Sequence, residues 1–210
     1  PLENAMELEQ SDKMRANLEV ISKNCHSMLD MINQLLDYKK VENGAFAIKR
    51  SVFDFCPAVK NIVSGYAVTA ESGRLRFVCS TDELPSSLLV NMDRGALERI
   101  LNNLLTNAFK YCKSSIDLRF AYDVQTDLVT ISIKDDGIGI SEDNISNIFK
   151  PFFRENEFNQ TGTGIGLFLV KHLVESHGGE VTVVSAKDQG SEFVVTLPAR
   201  SKEALSEQLT

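Results

Sequence analysis

The chain has 210 residues, 43% of them hydrophobic and 24% charged, with 12 Gly and 5 Pro. That balance excludes collagen-like and low-complexity disordered chains and supplies enough apolar material for one or two globular domains. Lys and Arg number 22 against 29 Asp and Glu, a formal charge of −7, which argues against a nucleic-acid partner because phosphate-backbone affinity needs clustered cations.

Residues 11–42 are expected to form one long helix. Met14, Leu18, Ile21, Cys25, Met28, Ile32 and Leu35 follow one another at alternating spacings of 4 and 3, the seam of a heptad repeat. A second row, Leu29, Met31 and Leu36, widens the apolar surface toward that of a helical bundle. Pro1 to Gln10, with Leu2 and Met6, is expected to be the tail of a preceding antiparallel helix, with Ser11-Asp12 as turn and N-cap. Such a hairpin cannot bury its own seam, so a homodimer is expected. Gly44 suits the position just past the helix end. Phe46 to Phe55 is strand-like, and Pro57 opens an amphipathic segment reaching about Glu71. Leu75 to Ser80 is strand-like again.

Beyond Asp93 the spacing predicts a helix to Tyr111, with Leu97, Ile100, Leu101, Leu104, Leu105 and Ala108 on one face. Two alternating strands follow, Ile116 to Tyr122 and Val129 to Ile133, joined through Asp123 to Asp127. A short helix at 141–149 is capped by Ser141, and residues 150–162 show little periodicity. A helix from about Gly164 to Ser176 precedes a closing hairpin, Val181 to Ser185 and Phe193 to Leu197, turned at Asp188-Gln189-Gly190. The fold class is therefore α+β: a helical hairpin over 1–44, an α/β sandwich over 45–198, and a polar linker over 199–210. No apolar run reaches the roughly 20 residues that cross a bilayer, and the start carries no signal-peptide pattern. Cys25, Cys56, Cys79 and Cys112 have no paired spacing, so reduced thiols, a cytoplasmic setting and no membrane contact by these residues are expected. Because residue 1 is Pro, the chain is expected to be a piece of a longer protein.

Three short segments carry chemistry. In Asn103 to Tyr111, Asn103, Asn107 and Lys110 line one stripe at 100° per residue. An amide oxygen and an ammonium in one row suit a hydrated divalent cation and a phosphate, although an ordinary solvated helix face has the same look. Asp135-Asp136-Gly137-Ile138-Gly139-Ile140 follows a strand, where a carboxylate can accept an amino hydrogen and two Gly let a planar ligand approach the backbone. A glycine turn with local Asp hydrogen bonds would also give this pattern. Gly162-Thr163-Gly164-Ile165-Gly166-Leu167 opens a helix, whose N-terminal N–H groups favour phosphate. It is neither the dinucleotide fingerprint, since Leu167 stands where the last Gly belongs, nor a Walker A loop.

In order and spacing the three segments together resemble the catalytic region of sensor histidine kinases. There the amide helix is the N box, the two glycine clusters flank an F box, here Ile148 to Arg154, and an ATP lid lies between. Leu35 to Gly44 is similar to the end of that family's second dimerisation helix, so the resemblance covers nearly the whole chain. It implies the Bergerat-type ATPase sandwich and the cofactors ATP and Mg²⁺. By matched position, Asn107 is implied to hold Mg²⁺ with Asn103 close by, Lys110 to contact phosphate, and Tyr111 to pack beside ribose or adenine. Asp135 is implied to receive the adenine amino group, with Gly137, Gly139 and Ile140 shaping the base pocket. Arg154 is implied to reach the γ-phosphate, and Gly162, Gly164 and Gly166 to wrap the triphosphate. Phe152, Thr163, Ile165 and Leu167 complete the implied nucleotide set. Such a site works by positioning and charge neutralisation.

The family's acceptor His is followed by Glu or Asp and then Pro, and His26, His172 and His177 lack that context. This chain is therefore expected to bind ATP without phosphorylating itself, its partners being a second copy and a response regulator or fused receiver domain. Two departures stand out: Glu192 where the family often has a small hydroxyl residue near the base, and Asp136 where Asn is frequent. Two alternatives remain at this point. Chaperone- and topoisomerase-type relatives use a Glu one turn before the metal-binding Asn, where this chain has Asn103 and thus no general base. A non-catalytic dimerisation module with a decayed site is the other.

Overall fold

The computed structural model describes residues 2–155 and 162–200. Its first element, α1 (Leu2–Glu42), is a single helix. The expected turn at Ser11-Asp12 does not form and neither does a hairpin. No Gly or Pro occurs between Leu2 and Glu42, and Ser or Asp inside a helix costs only about half a kcal/mol. The end of α1 is as expected. Gly44 takes φ +64°, its N–H donates to Val41 O (3.0 Å) and the Ala45 N–H to Lys40 O (2.8 Å), the paired bonds of a Schellman motif.

Phe46 to Arg50 is extended without being a strand: Lys49 N–H donates to Asp93 Oδ2 (2.8 Å), and Phe46 stacks edge-on against His172 and under Arg99. Strand pairing begins at β1 (Ser51–Asp54). Asp54 then caps α2 (Phe55–Gly73) by accepting from Cys56 N–H, so the helix opens two residues before Pro57. β2 (Arg76–Glu83) follows, then β3 (Leu89–Met92), which pairs antiparallel with β1 and was not anticipated. Next come α3 (Arg94–Tyr111), capped by Asp93, and the hairpin β4 (Ser115–Asp123) and β5 (Leu128–Asp135). One short helical turn, α4 (Glu142–Ile145), precedes α5 (Gly166–Ser176). The chain closes with β6 (Glu180–Ser185) and β7 (Ser191–Pro198).

The main sheet has the order β2-β4-β5-β7-β6. Only β2 and β4 run parallel, and α3 lies within their connection, as parallel neighbours require a crossover. Alternation sends Leu118 and Phe120 of β4, Ile131 and Ile133 of β5, and Val195 and Leu197 of β7 inward, where each is almost fully buried with Leu97, Leu101 and Leu104 of α3 and Val170 and Val174 of α5. The opposite face is polar: Arg119 holds Asp117 through two bonds, and Ser132 donates to Glu192. This is the two-layer α/β sandwich expected, with a solvated outer face.

His177 joins two of its helices. Its Nε2 accepts the Asp93 N–H (3.1 Å) at the start of α3, so Nδ1 carries the proton and donates to Leu173 O (2.7 Å). Burial holds the imidazole below its ordinary pKa. A depressed histidine pKa contributes stability above the unfolded value of about 6.5, lost as pH falls below it. The urea midpoint is therefore expected to drop between about pH 7.5 and about pH 5, and His177→Gln, which keeps a donor and an acceptor but does not titrate, to reduce that drop.

Candidate functional site

A cleft of about 940 Å³ opens between α3 and the segment leading into α5. Asn103, Asn107, Lys110, Tyr111, Asp135, Gly139, Ile140, Arg154, Gly162, Thr163, Gly164, Gly166 and Leu167 all line it. Residues up to 64 positions apart thus converge on one cleft, as the resemblance implied. Gly137, Phe152 and Ile165 do not face the cleft. Gly137 lets the Tyr111 carbonyl pack against its backbone, Ile165 is buried at the start of α5, and the Phe152 ring meets Tyr38 of α1 (centroids 5.0 Å apart).

One end is built from β5. Asp135 sits at its last position, 8% exposed. Its Oδ1 accepts the Gly137 N–H (2.8 Å), and burial pushes its carboxyl above the usual range against that bond and one from Ser191. Gly139 has φ +64°, and a side chain there would run into the Ala186 carbonyl. A side chain at Gly190 would likewise strike the Asp135 carbonyl. These contacts bring the 186–190 turn onto the 137–140 loop, where Asp188 N–H donates to Ile138 O and Ile140 N–H to Ser185 Oγ.

The neighbouring Asp136 faces away and accepts from the N–H groups of Lys113, Ser114 and Ser115 and from Ser114 Oγ. These bonds hold its carboxyl far below the ordinary value in spite of desolvation. Asp136 therefore does more than shape its own turn: it ties the end of β5 to the start of β4. Glu192 is corrected by register. It pairs with Lys134 on the outer face, while Ser191 pairs with Asp135 and lines the cleft, so the small hydroxyl beside Asp135 is Ser191. Side chains alternate along a strand, and a shift of one residue exchanges the faces.

The other end is built from α3 and the glycine segment. Asn103 and Tyr111 lie about 12 Å apart along the helix axis. Asn103 Nδ2 donates to Arg99 O (2.8 Å), which turns its Oδ1 onto Gly166, where a side chain would collide with it. Asn107 makes no side-chain hydrogen bond to another described residue and lies in the cleft wall. Lys110 Nζ bonds Tyr111 OH (2.9 Å). No group of three or more His, Cys, Asp or Glu capable of holding a metal occurs among the described residues. A divalent ion here would have to share its shell between the Asn107 amide oxygen and ligand phosphates, which suits a hard cation that keeps several waters.

Sequence reasoning missed the contribution of α1. Gln34, Asp37 and Lys40 line the cleft with Asp30 and Asn33, residues that read as the polar flank of a seam. Among the described residues, no helix is long and apolar enough to cross a membrane.

Residues 92–201, just over half of the chain, match the family described as histidine kinase-, DNA gyrase B- and HSP90-like ATPases. The chain belongs to that family. It is 30% identical over 202 residues to the autoinducer 2 sensor kinase/phosphatase LuxQ of Vibrio parahaemolyticus, covering 92% of this chain and 23% of the relative. It is 27% identical over 191 residues to the sensor histidine kinase WalK of Bacillus subtilis, covering 89% of this chain and 31% of that protein. The chain thus spans a quarter to a third of these relatives. The fold matches full-length ShkA, solved with AMPPNP, at a TM-score of 0.70 and 24% identity over 81% of this chain and 35% of that one. Within the family, the relatives it is similar to are sensor histidine kinases.

The close backbone contact at Gly139 gives a direct check. Gly139→Ala combines a left-handed φ with a collision and is expected to cost at least about 2 kcal/mol, measured by denaturant unfolding.

Proposed function

We propose that residues 45–198 bind Mg-ATP in the cleft and transfer its γ-phosphate to a histidine on another helix of the dimerising bundle, for relay to an aspartate of a response regulator or receiver domain. The observation that carries this is one cleft with a buried carboxylate at one end and amides, a lysine and a glycine-lined helix start at the other. Asp135 accepts the adenine amino hydrogen, and Gly139, Ile140, Ser191 and Tyr111 surround the base. Asn107, with Asn103 beside it, holds Mg²⁺, which supplies charge neutralisation of the phosphates. Lys110 and Arg154 add positive charge, and the N–H groups of Gly162, Gly164, Gly166 and Leu167 at the start of α5 take the phosphate oxygens. Phe152 and Ile165 support this wall from behind.

Phosphoryl transfer of this kind requires positioning more than covalent chemistry. No Glu stands at position 103 to activate water, which supports transfer to a protein acceptor over ATP hydrolysis. His177 is a poor acceptor, since both ring nitrogens are committed. His172 packs on Phe46, and the side chain of His26 lies outside the described residues. The acceptor is therefore sought beyond these three. Calorimetric titration with Mg-ATP is expected to show saturable binding. Asn107→Ala is expected to weaken it at least tenfold, about 1.4 kcal/mol, and Asp135→Asn to lose the preference for adenine. Saturable binding that ignores Mg²⁺ and both substitutions would overturn the assignment.

In the same reading α1 is the second dimerisation helix and residues 1–44 form that module. Met14, Leu18, Ile21, Met28, Ile32 and Leu35 are each close to half exposed or more, an apolar stripe a monomer leaves in water. Sedimentation equilibrium of the chain is expected to show self-association that Leu18→Glu with Ile32→Glu abolishes; a monomer at high concentration contradicts the seam.

A further inference from the structure

One face of α1 touches the phosphate end of the cleft on both of its walls. Gln34, Asp37 and Tyr38 are spaced i, i+3 and i+4, so they share a face. Thr163 Oγ1 donates to Gln34 Oε1 (2.6 Å), and the same hydroxyl accepts the Ile165 N–H (3.2 Å) at the start of α5. Asp37, only 7% exposed, pairs with Arg99 of α3 (3.0 Å), whose carbonyl orients Asn103. The Tyr38 ring packs edge-on against Phe152 and Phe168, with centroids 5.0 and 5.5 Å away. One helix face therefore holds α3 and the Gly162–Gly166 segment at a fixed spacing, although neither wall needs α1 for its own core.

We propose that this face of α1 is part of the nucleotide site, and that Gln34 is a positioning residue for its triphosphate end. The inference rests on the Mg-ATP reading above and adds to it where the phosphate-binding geometry comes from. The Thr163 hydroxyl has one proton. With that proton given to Gln34, a lone pair is turned to the Ile165 N–H, which fixes the bend at Gly164 (φ +71°) just before Gly166 and Leu167, cleft-lining residues in the first turn of α5, where N–H groups have no partner within the helix. Without the Gln34 acceptor the hydroxyl rotates freely and the segment loses its anchor to α1. The base end shares none of these contacts. It is fixed by Asp135, Asp136 and the 186–190 turn, so α1 acts on phosphates and not on adenine.

The test is a titration of the whole 210-residue chain with Mg-AMP-PNP and, separately, with adenosine, followed by NMR. It compares the unaltered chain with Gln34→Ala and with Gln34→Met, which keeps the length but removes the acceptor. Both variants are expected to bind Mg-AMP-PNP roughly 3- to 10-fold more weakly, the scale of one hydrogen bond, and adenosine as before. Unchanged Mg-AMP-PNP affinity overturns the proposal. So does an equal loss for both ligands, which is what simple loss of packing would give. Tighter binding of Mg-AMP-PNP also overturns it, because α1 would then compete with phosphate for the Thr163 hydroxyl. If the unaltered chain binds neither ligand, the Mg-ATP reading fails first and this one falls with it.

Discussion

Asp135 stays at the bottom of the cleft because glycines leave it no side chains to contend with. At Gly137, Gly139 and Gly190 any Cβ would strike a backbone carbonyl, so the 111–115, 135–140 and 186–190 stretches can close on one another main chain to main chain. That contact lets a carboxylate survive in a buried place. The Gly137 and Ser191 amides reach it and offset part of the desolvation that burial imposes. The remaining desolvation leaves the carboxyl above its usual range and ready to accept a hydrogen bond from a donor that enters the cleft.

The two ends of the site are held by different means. The Asp135 end is stitched by short-range bonds between loops at one end of the five-stranded sheet, among them those of Asp136 to its three backbone donors. The end proposed for phosphate is spread over α3, the glycine segment and α1, elements joined here mainly by side chains. Its groups carry charge or dipole and little apolar surface, so hydrophobic burial does not fix them as it fixes the core of Leu101, Ile131 and Val195. A site divided in this way has one half held by main-chain contacts and one half held by side-chain contacts.

How much of this was legible follows the same division. Elements with strong periodicity, α3, β4, β5 and the β6–β7 hairpin, could be drawn to within a residue or two, because burial of one face leaves its period in the sequence. The cleft residues were legible through the resemblance that the order of their three segments carried, since each segment alone also fitted an ordinary turn or helix face. What escaped was set by pairing and docking. β1 and β3 have four residues each and signal little until they meet. The faces of Ser191 and Glu192 depend on register with β5. The hairpin expected before Ser11 gave way to continuous helix because nothing in the chain breaks one. The role of Gln34 and Asp37 depends on where α1 lies against the sandwich, which no local pattern encodes.

The Schellman end of α1 at Gly44 fixes the direction in which the chain leaves the helix, and pairing resumes only at Ser51. The residues numbered 45–50 are therefore the leash of the sandwich. Six residues drawn straight span at most about 21 Å, the length of some 14 residues of helix. Freed from Gln34, Asp37 and Tyr38, and with Phe46 and Lys49 released from His172, Arg99 and Asp93, the cleft could swing around its anchor but not travel the length of α1. The leash sets a radius, and on the phosphotransfer reading proposed above the accepting side chain has to lie within the sandwich's own width plus that radius of Gly44.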